Sequence, residues 1–213
     1  KAGTPQGGIL SNPFFNLYIN DIFNIGIVGK LALYADDMSL TNVADNPQEL
    51  KNMMEHDLDL ISKWLNLNQL TPNPDKTKYI LFHNKKKFEN FTETSLNIQF
   101  NGRTLERVER VNVLGLLVDE TLSFKDHIQS IKDKIISFSY AVKRVRKLLS
   151  DKTAIALYYA HVQSRLMYMN TVWSAAAQYN LNSLEIVQRK SLRILLNKNW
   201  FCSRSELYSI RIL

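Results

Sequence analysis

The pattern of apolar and polar positions predicts mixed helix and strand in the first part of the chain. Residues 14–23 are apolar on most sides, which indicates a short buried helix. Two short apolar strands follow at 31–35 and 38–43, and only Asp36 and Asp37 separate them. Two residues are the length of a tight hairpin turn, and Asp tolerates the left-handed backbone that such turns need. The pattern therefore predicts an aspartate pair at the tip of an apolar hairpin.

A long amphipathic helix is predicted after the hairpin. Asn46 is a suitable N-cap, Pro47 fits the first helical position, and Glu49 lies three residues after the cap. The breaker-rich run at 71–74 ends the helix. Apolar residues at steps of four, four, three and four form one stripe along it: Leu50, Met54, Leu58, Ile61 and Leu65.

Further strands are predicted beyond this helix. Residues 78–83 have the pattern of a strand. Residues 96–100 and 103–108 flank Asn101-Gly102, and Asn-Gly favours a type I′ hairpin turn. Residues 111–118 form one more apolar run, which predicts another strand.

From about residue 125 to the end, the pattern is helical. Two more helices are predicted near 152–174 and 181–197. The first helix has apolar residues at alternating steps of three and four: Ile128, Ile131, Ile135, Phe138, Val142, Val145 and Leu149. Basic residues fall off that stripe: Lys132, Lys134, Lys143, Arg144, Arg146 and Lys147. We therefore predict an α+β chain with a boundary at residue 124, where mixed structure at 1–124 gives way to an all-helical part at 125–213.

The net charge of +7 is unevenly distributed. Residues 1–80 hold 6 Lys and 9 acids, giving 6 − 9 = −3, whereas the remaining residues hold 21 basic residues and 11 acids, giving +10. The excess of positive charge suggests either a polyanionic partner or a solvated basic surface. No apolar run is long enough to span a membrane, and one cysteine excludes an internal disulfide, so we expect a reducing intracellular compartment, nuclear or cytoplasmic.

Two segments are candidates for chemistry. Adjacent carboxylates at Asp36 and Asp37 repel each other unless a cation binds between them, and hard oxygen ligands suit Mg²⁺. The glycines at 3–8 allow close approach of a ligand to the backbone ahead of a predicted helix N-terminus, which attracts phosphate. Taken alone, each segment is also well explained as an ordinary polar turn.

The order of the motifs is more specific than any one of them. Together they resemble the polymerase palm and thumb of reverse transcriptases from non-LTR (LINE-type) retrotransposons. The resemblance lies in residues 3–7, 15–21, 34–37 (Tyr-Ala-Asp-Asp), 70–77 and 113–115, followed by Asp119, His127, Ile128 and 187–193. It covers nearly the whole chain and implies a partial palm at 1–124, which includes the primer grip, and a helical thumb at 125–213.

The resemblance implies a role for each matching residue. Asp36 and Asp37 match the metal-binding acids of a polymerase that uses Mg²⁺, with Mn²⁺ as a possible substitute. Lys76 matches a lysine that neutralises or protonates the leaving pyrophosphate. Nucleotide and template contacts are implied for Pro5, Gln6, Gly7, Tyr34 and Ala35. The primer grip is implied at Leu114 and Gly115, and contacts with the nucleic-acid backbone at Lys143, Arg144, Arg146 and Lys147.

The implied activity is RNA-directed DNA synthesis, with an RNA template, a DNA primer and deoxynucleoside triphosphates as partners. The family site also uses a third acid ahead of the loop at 3–8, and only Lys1 and Ala2 precede that loop here. We therefore expect this chain to be inactive alone. Two alternatives stay open from the sequence: a non-catalytic remnant that binds nucleic acid, and a polymerase of the group II intron maturase type.

Overall fold

The computed structural model describes residues 7–73, 75–83 and 96–209. Their fold is mixed α and β, as predicted, and it divides into two compact units. Unit 1 holds the described residues up to 81 together with 96–108. Unit 2 holds residues 82–83 and 109–209. The functional division expected at residue 124 stays a prediction.

Unit 1 contains short strands grouped around one long helix. The antiparallel pairs are β1 with β2 and β4 with β5, whereas β3 and β6 pair in parallel. In chain order the elements are α1 (Ser11–Ile19), a 3₁₀ turn (Asn20–Asn24), β1 (Lys30–Tyr34), β2 (Asp37–Thr41), α2 (Pro47–Leu67), β3 (Lys78–Tyr79), β4 (Gln99–Phe100), β5 (Arg103–Thr104) and β6 (Glu106–Arg107).

Helix α2 begins as the sequence predicts. The backbone N–H of Glu49 donates to the Asn46 side chain at 2.8 Å, and Pro47 is the first helical residue. The predicted apolar stripe faces two clusters. Leu58 packs with the β3 to β5 region, whereas Ile61 and Leu65 pack with the region of α1 and β1. Burial of one such aliphatic side chain stabilises the folded state by about 1.5–3 kcal/mol. Helix α2 therefore contributes to the stability of both apolar clusters of unit 1.

The hairpin predicted around Asn101-Gly102 is confirmed. Both residues have positive φ, 49° and 74°, which is the backbone geometry that a type I′ turn requires. The flanking strands are only two residues each, shorter than predicted. The strand predicted at 78–83 is likewise reduced to β3, which pairs with β6 over two residues.

The prediction of a buried helix at 14–23 is wrong in one respect. A helix does form, but it buries only one edge, with Ile19 and Ile22 in the core and Phe15 half-buried. Phe14, Leu17 and other apolar side chains of this segment are exposed. Residues spaced four and three apart form a single narrow face, so the remaining apolar positions face away from the core.

Unit 2 consists of one hairpin followed by helices. Its long helices α3 and α7 pack against each other and share the largest apolar cluster. The elements are β7 (Arg110–Val113), β8 (Leu116–Asp119), α3 (Lys125–Val145), a 3₁₀ turn (Arg146–Leu148), α4 (Asp151–Tyr158), a π turn (Tyr159–Gln163), α5 (Ser164–Met167), α6 (Asn170–Trp173), α7 (Gln178–Leu195) and α8 (Arg204–Ser209). Every helix in the described parts of the chain is too short or too polar to span a lipid bilayer.

Two predictions within unit 2 are wrong. The strand predicted at 111–118 is a tight hairpin, because the chain reverses at Leu114 and Gly115, with φ of 50° and 83°. The helix predicted at 152–174 is interrupted at Met169, where φ is 49°. There the indole Nε1 of Trp173 donates to the carbonyl of Tyr168 at 2.8 Å, and Trp173 itself is buried. The spacing of apolar residues along the chain gives no indication of such a local change in backbone direction.

Candidate functional site

The hairpin β1–β2 carries the aspartate pair, but its turn differs by one residue from the prediction. Tyr34 pairs with Asp37, so Ala35 and Asp36 form the two-residue turn and Asp37 is the first residue of β2. Ala35, rather than an aspartate, has the positive φ of 52°. The observed register pairs Leu31 with Leu40 and Leu33 with Met38. Directly opposed residues share a face, so this register collects four apolar side chains on one side.

The two faces of this hairpin differ. Leu31, Leu33 and Leu40 are half-buried in the cluster that contains Ile61 of α2. The opposite face, which includes Tyr34 and Asp37, is exposed. The packing of the apolar face therefore fixes the hairpin on α2 and leaves its carboxylate-bearing end in solvent.

Neither carboxylate of the pair has a partner among the residues that the structure describes. Asp36 and Asp37 are both exposed, and neither makes a hydrogen bond or ion pair with residues 7–73, 75–83 or 96–209. Both sets of carboxylate oxygens are thus available to a hard divalent cation. Among the same residues, no group of three or more His, Cys, Asp or Glu side chains is arranged to hold a metal. The described residues therefore place two carboxylates, and no third acid, at this end of the hairpin.

A buried acid that sequence reasoning missed holds the base of the hairpin. Asp57 of α2 has no exposed surface, and its carboxylate accepts hydrogen bonds from the backbone N–H groups of Val28 and Gly29 at 2.9 and 2.8 Å. It also accepts one from Asn42 Nδ2 at 2.8 Å. Val28 and Gly29 precede β1 and Asn42 follows β2, so one carboxylate ties both arms of the hairpin to α2.

The environment of Asp57 favours its ionised form. Burial by itself raises the pKa of Asp57, but the hydrogen bonds that it accepts outweigh burial and hold the pKa below its usual value. A sequence signal was present, because Asp57 lies three residues after Met54 and four before Ile61, on the apolar side of the helix. A charged residue at such a position needs buried partners.

Close packing at Gly29 completes this attachment. A Cβ atom at Gly29 would lie 2.8 Å from the side chain of Asn42 and 2.8 Å from the carbonyl oxygen of Thr41. Gly29 therefore allows the two arms to approach each other where Asp57 binds both. Asp57, Gly29 and Asn42 form what we call the hairpin brace.

The other site residues predicted in unit 1 lie outside the hairpin. Pro5 and Gln6 lie outside the described residues. Gly7 is exposed, with φ of 82°. Lys76 is exposed in the loop before β3, where its backbone N–H donates to the carbonyl of Asn73 at 3.2 Å. The hairpin end thus brings together Tyr34, Ala35, Asp36 and Asp37.

In unit 2, Leu114 and Gly115 form the turn of the β7–β8 hairpin. The hydroxyl of Tyr168 donates to the carbonyl of Leu114. The ring of Tyr168 would lie 3.6 Å from a Cβ at Gly115. Tyr168 therefore supports this turn from the break between α5 and α6, a contact that no sequence pattern indicated.

The loop between β8 and α3 is organised by Asp119. Its carboxylate accepts hydrogen bonds from Thr121 and Ser123, through backbone and hydroxyl groups, and from the backbone N–H of Phe124 at 2.8 Å. Burial alone raises the pKa of Asp119, but these hydrogen bonds lower it to about 2. Asp119 thus fixes the start of α3, where Phe124 has φ of 52°.

The four basic residues expected to contact nucleic acid are not equivalent. Lys143 and Arg144 are exposed in the last turn of α3, and Lys147 is exposed in the 3₁₀ turn that follows. Arg146 instead turns inward: its Nε donates to the carbonyl of Leu195 at 2.6 Å and its Nη1 to that of Leu149 at 2.9 Å. The third side of its guanidinium pairs with Asp151. Arg146 therefore joins the ends of α3 and α7.

The chain is similar in sequence to known proteins of mobile genetic elements. The chain is 25% identical to "RNA-directed DNA polymerase from mobile element jockey" of Drosophila funebris, a match covering 97% of this chain and 23% of that protein. It is 23% identical to "Probable RNA-directed DNA polymerase from transposon BS" of Drosophila melanogaster, covering 98% and 24%. The chain thus spans about a quarter of the length of these relatives. Both relatives are named as RNA-directed DNA polymerases, one from a mobile element and one from a transposon.

No solved structure matches this chain significantly. A family profile described as "Reverse transcriptase (RNA-dependent DNA polymerase)" matches residues 1–118, which is more than half of the chain. That stretch includes the exposed carboxylate pair and the residues that brace its hairpin. The chain belongs to the reverse transcriptase family.

Proposed function

We propose that this chain forms the metal-binding hairpin, primer grip and thumb of an RNA-directed DNA polymerase that extends a DNA primer on an RNA template. The observation that carries the proposal is the pair of exposed carboxylates at Asp36 and Asp37, which lie at the end of a hairpin that is fixed at its base. Support also comes from the family match and from relatives named as RNA-directed DNA polymerases.

The carboxylate pair suits a divalent cation. Mg²⁺ prefers hard oxygen ligands and keeps several waters and substrate phosphates, so two carboxylates are a fitting protein contribution. When bound, such ions activate the primer 3′-hydroxyl and stabilise the charge that develops during phosphoryl transfer. Mn²⁺ has the same ligand preferences and is expected to replace Mg²⁺. In this proposal Asp36, in the turn, and Asp37, in β2, hold the ions.

The residues beside the pair would position the reacting groups. Tyr34 and Ala35 lie next to the carboxylates on the same hairpin, where they would contact the primer end and the incoming nucleotide. Lys76 has an exposed ammonium group and would neutralise or protonate the pyrophosphate that leaves. Pro5, Gln6 and Gly7 would contact the template and the nucleotide.

The later part of the chain would hold the nucleic acid. In this proposal residues 1–124 are the partial palm and 125–213 the thumb. The turn at Leu114 and Gly115 would support the primer strand, since its backbone is fixed by Tyr168 and remains accessible. Lys143, Arg144 and Lys147 would contact phosphates, whereas Arg146 joins two helix ends.

Primer extension with matched variants tests the metal assignment. In the polymerase that carries this chain, Asp36→Asn and Asp37→Asn should each lower Mg²⁺-dependent extension by at least about 100-fold. Binding of the primed template should stay within about twofold of the unchanged protein. Asp45→Asn is the matched control, because Asp45 is also exposed and follows β2, and it should leave extension unchanged. Full extension by Asp36→Asn would disprove the metal assignment.

A further inference from the structure

The segment that follows α7 exposes two adjacent aromatic side chains. Trp200 is 65% exposed and Phe201 is 89% exposed. The other two tryptophans of the chain are buried: Trp64 is 7% exposed and Trp173 is 5% exposed. Adjacent, strongly exposed aromatic residues are uncommon on a surface without a binding role.

Two cationic side chains lie beside the Trp200 ring. The ammonium of Lys190 lies 6.0 Å from the centroid of the Trp200 ring, and the guanidinium carbon of Arg193 lies 5.0 Å from it. Arg193 also donates to the carbonyl of Cys202 at 3.1 Å, which fixes the segment against α7. Residues 186–205 contain five basic residues, Lys198 among them, and two of the five, Arg189 and Arg204, pair with Glu185.

We propose that Trp200 and Phe201 form a stacking platform for unpaired bases of single-stranded nucleic acid, with Lys190 and Lys198 contacting its phosphates. An apolar protein partner would cover the rings but would leave the neighbouring cations desolvated and unpaired. A single strand would both cover the rings and pair with the cations, because its bases have flat aromatic faces and its backbone is anionic. Bases inside a duplex are already stacked, so they cannot cover these rings.

The platform lies in unit 2 and uses none of the residues of the carboxylate hairpin. It adds a nucleic-acid contact to the proposed polymerase, but binding there requires neither metal nor nucleotide. The experiments therefore use EDTA and no nucleotides. A failure of the platform would leave the metal assignment at Asp36 untouched, and a failure of that assignment would leave the platform in place.

The tryptophan emission of the chain gives a direct readout. Trp200 is exposed while Trp64 and Trp173 are buried, so a quencher that stacks on the surface acts on Trp200. Titration with a 20-nucleotide oligothymidylate or oligouridylate should quench the emission to saturation. The Trp200→Ala variant should bind without quenching and should bind more weakly.

Fluorescence anisotropy of a labelled oligonucleotide measures the affinity itself. Trp200→Ala and Phe201→Ala should each weaken binding of the single strand by about 5- to 100-fold, and Trp200→Phe should retain most of the affinity. The matched control is Tyr179→Ala, because Tyr179 is 66% exposed and belongs to α7, as Lys190 and Arg193 do. This variant should bind within twofold of the unchanged chain. Thermal unfolding should be the same for all four variants, since each removes exposed side-chain atoms.

Three results would overturn the proposal. Trp200→Ala and Phe201→Ala variants that bind the single strand within twofold of the unchanged chain would exclude stacking. Equal weakening by Tyr179→Ala would show that the effect is not local. A blunt duplex whose binding depends on Trp200 as strongly as that of the single strand would show that unpaired bases are not what these rings recognise.

Discussion

The backbone N–H of Gly29 donates a hydrogen bond of 2.8 Å to the carboxylate of Asp57, 28 residues further along the chain. The same carboxylate oxygen accepts from Asn42 at 2.8 Å. One fully buried acid on α2 therefore holds both arms of the hairpin that carries Asp36 and Asp37. We expect the position of these two carboxylates to depend on Asp57 as much as on the turn that contains Asp36.

Asp57→Asn should destabilise the chain markedly. The amide loses the negative charge and directs an NH₂ group toward donors, so the free energy of unfolding should fall by about 2–4 kcal/mol. Denaturant unfolding measures this change. The matched control is Asp59→Asn on the same helix, because Asp59 is exposed and pairs with the exposed Lys63. A change below about 0.5 kcal/mol for both variants would contradict the bracing role.

Measurements of activity should show whether Asp57 positions the carboxylate pair or only stabilises the fold. Under conditions where Asp57→Asn remains folded, primer extension by the polymerase should require more Mg²⁺ for half-maximal rate, because the two metal-binding carboxylates are held less firmly. Asn42→Ala removes one of the four groups that contact the Asp57 carboxylate, which are Val28, Gly29, Asn42 and His56, and should shift the Mg²⁺ requirement in the same direction by less. An unchanged Mg²⁺ requirement in both variants would mean that the brace serves folding alone.

Ala35→Gly should stabilise unit 1. Ala35 has φ of 52°, which costs energy for a residue with a side chain and little for glycine. We expect the free energy of unfolding to rise by about 0.5–1 kcal/mol, measured by thermal or denaturant unfolding. Ala32→Gly is the control on the same hairpin: it lies within β1, so the added flexibility should destabilise by a similar amount. Equal destabilisation by the two substitutions would exclude strain at Ala35.

Asp119 should make the stability of unit 2 depend on acid pH. Its pKa is about 2 in the folded chain against an ordinary value of 3.8, so the folded state binds fewer protons between these values. Its contribution is complete above about pH 4 and is lost as the pH falls toward 2. Asp119→Asn should therefore lower the unfolding free energy by about 1–2 kcal/mol at pH 7.

Urea unfolding from pH 7 down to pH 2 checks this dependence. The difference between the unchanged chain and Asp119→Asn should shrink steadily below pH 4. Asp126→Asn, which removes an exposed partner of Arg110, should show a difference below about 0.5 kcal/mol at every pH. A difference for Asp119→Asn that stays constant with pH would rule out the ionised carboxylate as the cause.

Arg146 and Lys147 are neighbours with opposite expected roles. Arg146→Ala leaves the carbonyls of Leu195 and Leu149 without their donor, so the free energy of unfolding should fall by about 2–3 kcal/mol. Lys147→Ala should leave stability within about 0.5 kcal/mol and should weaken binding of a primed template, more at low salt than at high salt. Unfolding and anisotropy measurements on both variants distinguish the two roles. An Arg146→Ala variant as stable as the unchanged chain would refute the structural role of Arg146.

The sequence specified features that depend on near neighbours. Asn46 and Pro47 fix the start of α2 because the cap and the first turn lie within three residues of each other. Asn101-Gly102 fixes a turn because both residues tolerate positive φ. The apolar stripe of α3 fixed that helix, with Ile128, Ile131 and Ile135 buried as expected. These signals are local, so no other part of the chain is needed to read them.

The tertiary structure decided whatever depends on distant partners. Hairpin register placed Asp36 in the turn and Asp37 in a strand, because the cross-strand pairing of Leu31 with Leu40 sets the alignment. The roles of Asp57 and Arg146 follow from partners 28 and 49 residues away, and periodicity carries no information at that separation. The sequence alone thus determined which acids the chain displays. Only the tertiary contacts decided how the hairpin that displays them is held, because buried charges take their roles from the groups that the fold brings to them.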